Sequence, residues 1–174
     1  PLELTHVLEG WGPGGPEDES GWLALLPEWD SYLEWATANR QNRVEWVLLS
    51  AASWSQFADS PGRAARLKRL VDMAHAWGIA AGADAALALK QQNTWHLVRT
   101  TGSLASEKQQ IRDRLDWLMP IGYDFFSTEM GFSEFTAPDS TRMLEWMNEA
   151  TAYTADRYGA PTYVYSASTM EDNY

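Results

Sequence analysis

The sharpest chemical feature of the chain is Ser127-Thr128-Glu129-Met130-Gly131-Phe132. A carboxylate that closes an otherwise apolar, aromatic run must be paired or desolvated. Desolvation raises its pKa, as a general acid at neutral pH requires. The competing role for Glu129 is to cap the next loop's N–H groups or to pair with an arginine. Asp84 is the second candidate. It follows Gly82 and Ala83, small residues that let something bulky approach. Its competing role is a helix N-cap. Glu9, ahead of Gly10 and Trp11, is the third, against the reading of a solvated loop carboxylate. These three form the candidate catalytic set.

A second set is aromatic. The chain has ten Trp in 174 residues, more than a core of this size needs. Trp35, Trp77, Trp117 and Trp146 fall on predicted helices and are expected to pack on a sheet. Trp11, Trp54 and Trp95 fall in or beside loops, where a ring exposes apolar surface unless it stacks on something. Sugar rings present apolar C–H faces, so loop Trp with interleaved Gln, Asn, Asp and Glu suits carbohydrate. The competing role is to anchor loops. His96, beside Trp95, and Tyr165, at the end of the last strand, complete the candidate substrate-binding set.

Other chemistries lack support. The chain has no Cys, which excludes disulfides, thiolate metal sites and Cys nucleophiles. No H-x-H or H-E-x-x-H pattern occurs, so zinc has little support, and no P-loop or G-x-S-x-G elbow occurs. No cofactor is expected. A hard-cation site from Glu9, Asp84 and Glu129, with His6, stays open as a metal-assisted alternative. Net charge is −11, which argues against nucleic-acid backbone and anionic membrane surfaces while leaving room for a small basic patch. No apolar run approaches the ~20 residues that cross a bilayer. The compartment is left open, with a secreted or periplasmic location favoured over a cytoplasmic one.

The elements that must position these residues follow a regular rhythm. Strands are predicted to start near residues 2, 44, 79, 121 and 162, with helical patterns between them. Pro27 is read as opening the first helix, after a loop over residues 10–21. Ser60-Pro61 opens the second helix. Ser106 with Gln109 is read as capping the third, and residues 139–158 form the fourth. Residues 87–99 are read as a short helix over a loop. Repeated βα units of 35 to 42 residues imply parallel strands with right-handed crossovers.

Either an open doubly wound sheet or a (β/α)₈ barrel would satisfy this rhythm. The first βα turn has no G-x-G-x-x-G, and four of the five strands run into polar or carboxylate residues. The expectation is therefore a partial (β/α)₈ TIM-like barrel: one α/β domain over residues 1–174, about five parallel strands, the N-terminal part of a larger barrel. Open strand edges would invite self-association.

On the βα rhythm, the Thr128-Glu129 strand end and loop residues Trp11, Trp54 and Trp95, the chain resembles glycoside-hydrolase-like TIM barrels. In the large retaining clan, the strand-four Glu is the acid/base and a Glu on strand seven is the nucleophile. The resemblance implies an acid/base role for Glu129. This chain departs from the clan in having Thr128 where Asn usually precedes the Glu, and the nucleophile strand would lie beyond Tyr174. The expected function is a carbohydrate-active hydrolase taking carbohydrate or another small polar substrate. Asp84, or a carboxylate outside the chain, would be nucleophile or base. The alternatives are the metal-assisted hydrolase or isomerase and a non-catalytic carbohydrate-binding domain.

Overall fold

Helix α1 spans Glu19–Ala38, eight residues longer at its start than the position of Pro27 suggested. Asp18 caps it, accepting from the Ser20 N–H at 3.0 Å. Pro27 sits inside the helix and deprives the Leu23 carbonyl of its partner. Leu23 lies on the solvent side, 55% exposed, so water can serve that carbonyl. On the other side Trp22, Trp29, Leu33 and Ala36 form a buried stripe that outweighs the proline's cost. A computed structural model describes residues 18–49, 57–88, 94–129 and 140–165.

After α1 the chain alternates strand and helix: β1 (Arg43–Val47), α2 (Pro61–Ala76), β2 (Ala80–Asp84), α3 (Leu104–Leu118), β3 (Phe125–Glu129), α4 (Ser140–Tyr158) and β4 (Thr162–Tyr165). The strands form one sheet in the order β1-β2-β3-β4, and every pair is parallel. Four of the five expected strands are therefore present, and the first, residues 2–8, lies outside the described residues. Strand β3 starts later than expected. Pro120 ends α3 in a 3₁₀ turn over Met119–Ile121, and Gly122 at φ +111° turns the chain before it extends.

Caps account for the remaining boundaries. Ser60 accepts from the Arg63 N–H with Pro61 at the first helical position, as the sequence indicated. Helix α3 is capped by Ser103, three residues ahead of the expected Ser106. Glu107 backs this cap by accepting from the Gly102 N–H at 2.7 Å. The stretch expected as a short helix is extended where it is described. Trp95 N–H donates to the Leu48 carbonyl, and Leu97 and Val98 N–H donate to Ala86 and Leu87. This small ladder lengthens the sheet at the carboxyl end of β1 and β2.

Pleating gives the sheet two unlike faces. One carries Val44, Trp46, Ala81, Ala83 and Phe126, all buried, and packs on helices with Leu67, Leu70, Val71, Ile111 and Leu115 in the same core. The other carries Arg43, Glu45, Gly82, Asp84, Phe125, Ser127 and Tyr163. Arg43, Glu45 and Tyr163 on it are exposed. This polar face holds the candidate site.

Candidate functional site

Register brings two of the predicted carboxylates to one end of this face. Asp84 pairs with Val47 on one side and Ser127 on the other. Glu129 lies two residues beyond Ser127, so the period-2 pleat puts position 129 on the face of Ser127 and Asp84. Both are the last residues of their strands. Glu129 pairs with Tyr165 in the β3–β4 register, which brings a third predicted position to the same rim. The Asp84 side chain is buried, 7% exposed.

A third carboxylate belongs to this face and was missed by the sequence reading. The Ser127 hydroxyl on β3 donates to Glu45 Oε2 on β1 at 2.8 Å. Strand β2 lies between them, so Glu45 must extend across it. Gly82 makes this path: it is the β2 residue opposite both Glu45 and Phe125. From the other side the Phe125 ring presses onto Gly82, where a Cβ would come within 2.0 Å of Phe125 Cε2. The Glu45 carboxylate thus reaches across the middle strand to Ser127, the residue that pairs with Asp84. The readable signal was the alternation of Arg43-Val44-Glu45-Trp46-Val47, with Glu45 opposite in phase to the buried Val44 and Trp46.

Below Glu45 the face is cationic and aromatic. Arg43 Nη1 donates to the Tyr163 hydroxyl at 3.0 Å. Its guanidinium lies 5.8 Å from the Phe125 ring centre and 5.4 Å from that of Tyr163. The arrangement offers hydrogen-bond acceptors at the strand ends, and a cation with rings beneath them. Among the described residues no group of three or more His, Cys, Asp or Glu could hold a metal ion.

Two predicted binding residues are placed differently from expectation. Trp95 is fully buried. Its Nε1 donates to Asp59 Oδ1 at 2.6 Å, the Trp117 ring is 5.4 Å away and the Arg114 guanidinium sits 3.9 Å over its ring. Both its polar atom and its ring are occupied within the protein, so it is a strut and not a sugar platform. His96 is half-buried in the same ladder, and its Nδ1 donates to the Thr94 carbonyl at 3.0 Å. Glu9, Trp11, Trp54 and His6 lie outside the described residues, as do the side chains of Glu129 and Tyr165. The helix tryptophans divide. Trp146 is buried and Trp117 half-buried, but Trp35 and Trp77 are 51% and 36% exposed, turned away from the sheet.

The strut has its own electrostatics. Burial pushes the Asp59 carboxyl up. Arg114, the Trp95 N–H and Arg99 together more than reverse this and hold it below the usual carboxylate range. Burial pushes the Arg114 guanidinium down to about 10, despite its ion pair with Asp59 at 3.0 Å. This cluster fixes the loop ahead of α2 to the ladder after β2, beside the rim that carries Asp84.

No family model matches the chain, and no curated protein matches it. Solved structures do match. A structure described as CpGH84B aligns over 80% of this chain at a TM-score of 0.59 and 9% identity. A mutant O-GlcNAc hydrolase of Thermobaculum terrenum aligns over 79% at 0.56 and 11%. A beta-arabinopyranosidase aligns over 92% at 0.51 and 13%. The chain spans 24%, 31% and 21% of those chains. At such identities the likeness is one of fold alone, a parallel α/β architecture.

Proposed function

We propose that the chain forms part of a (β/α)₈-type barrel whose rim cleaves or binds a glycan, with Asp84 and Glu129 as the acid and base pair. The observation that carries this reading is their register: adjacent parallel strands, last residue of each, one face. In parallel α/β folds the chemistry sits beyond the carboxyl ends of the strands. Glu129 would protonate the leaving oxygen. Asp84 would act as nucleophile or base, with Glu45 beneath as an acceptor for a sugar hydroxyl. Tyr165 sits beside Glu129 in the register, where a ring would stack on the sugar. Glu9, Trp11 and Trp54 belong to the same proposed mouth.

The fold likeness to glycosidase structures supports this reading over a metal-assisted one. The test is turnover of a panel of methyl glycosides by the protein and by Asp84→Asn and Glu129→Gln. Saturable turnover that falls at least about 10²-fold in both variants supports the pair. Sugar binding without turnover, unchanged in both variants, would instead make this a binding domain.

A further inference from the structure

A second concavity lies on the helix side of the sheet. Glu19, Trp22, Phe57, Ser60, Arg66 and Arg69 line a cleft of about 550 Å³. That volume is within the ordinary range for a small-molecule site. Helices α1 and α2 run side by side in the same sense, since Glu19 meets Arg66, Trp29 meets Leu70 and Asp30 meets Trp77 in turn. The cleft is therefore at their amino-terminal turns. Because α2 follows β1, it lies at the end of the sheet where the strands terminate.

Its chemistry is cationic in an acidic protein. Helix α2 carries Arg63, Arg66, Lys68 and Arg69 against Asp72 alone, while the chain is at −11. The Arg66 side chain is only 11% exposed. Its guanidinium lies 5.5 Å from the Trp22 ring centre and 5.4 Å from that of Phe57, and these contacts hold its planar fork in place. Arg69 lines the same cleft and has no ion-pair partner among the described residues. Among the described residues one carboxylate already reaches in: Glu19 Oε2 accepts from Arg66 Nη2 at 3.1 Å, although the Glu19 side chain is 69% exposed. The Glu19 end of this pair stands open to solvent, so an incoming carboxylate can take its place on Arg66.

We propose that this cleft binds a small ring-shaped ligand through a carboxylate, with Arg66 and Arg69 as its cations and Glu19 as the internal carboxylate it displaces. Arginine pairs with carboxylate and phosphate alike in bidentate geometry, and the flanking Trp22 and Phe57 rings favour an acid that also offers an apolar ring face. The carbohydrate reading above narrows the class to an acidic sugar. Carboxylate recognition by the cleft stands without it.

Calorimetric titration with glucuronic acid tests this, with glucose and inorganic phosphate as comparison probes. Glucuronic acid should bind saturably and more weakly as salt rises, phosphate should bind more weakly than it for want of a ring face, and any binding of glucose should be indifferent to Arg69→Gln. Arg69→Gln, an exposed substitution that leaves the packed Arg66 intact, should weaken binding about fivefold or more. Glu19→Gln should tighten it about threefold, because the internal competitor is gone. Asp84→Asn should leave it unchanged. Absence of saturable binding, Arg69-dependent binding of glucose, phosphate binding as tight as that of glucuronic acid, or indifference to both Arg69→Gln and Glu19→Gln overturns the proposal. Glucuronic acid binding in a protein that turns over no glycoside would keep the cleft and remove the catalytic rim.

Discussion

The Ser127 hydroxyl reaches Glu45 across an intervening strand, at 2.8 Å. Two residues on β1 and β3 can meet this way only if β2 offers no side chain between them. Gly82 meets that condition, and Phe125 uses the same gap from the other side. The candidate site is thus built on a missing side chain as much as on the carboxylates themselves.

Gly82→Ala should therefore destabilise the fold by about 1–3 kcal/mol, the usual range for overpacking. The added methyl would meet the Phe125 ring at 2.0 Å. Pairing it with Phe125→Ala should cost less than the two single changes together, because the ring is the clash. Urea unfolding of the four proteins checks this. Additive costs would show that the ring does not determine the glycine.

Glu107 predicts a larger loss. It is fully buried, and its carboxylate accepts from the Gly102 N–H and from Trp146 Nε1 at 3.0 Å and forms an ion pair with Arg142 at 3.2 Å. Glu107→Ala takes the acceptor from the buried Trp146 N–H and from the Gly102 N–H and leaves a void, and should cost about 3 kcal/mol. Trp146→Phe removes one of those donors and should cost less. Thermal melts of both variants give the order, and a Glu107→Ala protein as stable as the parent contradicts it.

Asp59 predicts a pH dependence. Its folded pKa lies below the unfolded value, so its contribution is present above the unfolded pKa and is lost as pH falls through the folded one. Stability should therefore drop below about pH 4, and Asp59→Asn should flatten that limb. At pH 7 the same substitution should cost about 3 kcal/mol, since it leaves Arg114 charged and 10% exposed without its partner. Denaturant midpoints at pH 3, 5 and 7 decide it. An unchanged acid limb in the variant would assign the pH dependence elsewhere.

The architecture was legible because it rests on local signals. The strand start near residue 44 and the Ser60-Pro61 helix start both act within a few residues. Where long-range packing decides, the sequence misled. Pro27 reads as a helix start, yet Trp22 and Trp29 carry the helix through it. Trp95 reads as an exposed loop ring, yet Asp59, 36 residues away, and Arg114 hold it in the core. At the rim, Asp84 and Glu129 were legible as strand ends. Glu45 was not, because its place depends on Gly82 and on a hydroxyl 82 residues distant.

The most direct measurement of the central claim is the leaving-group dependence of Glu129→Gln. If Glu129 donates the proton to the departing oxygen, the variant should lose about 10²–10⁴-fold in kcat/KM on an alkyl glycoside. It should lose far less on the matching 2,4-dinitrophenyl glycoside, which departs without protonation. Equal losses on both, or none on either, would contradict the role given to the end of β3.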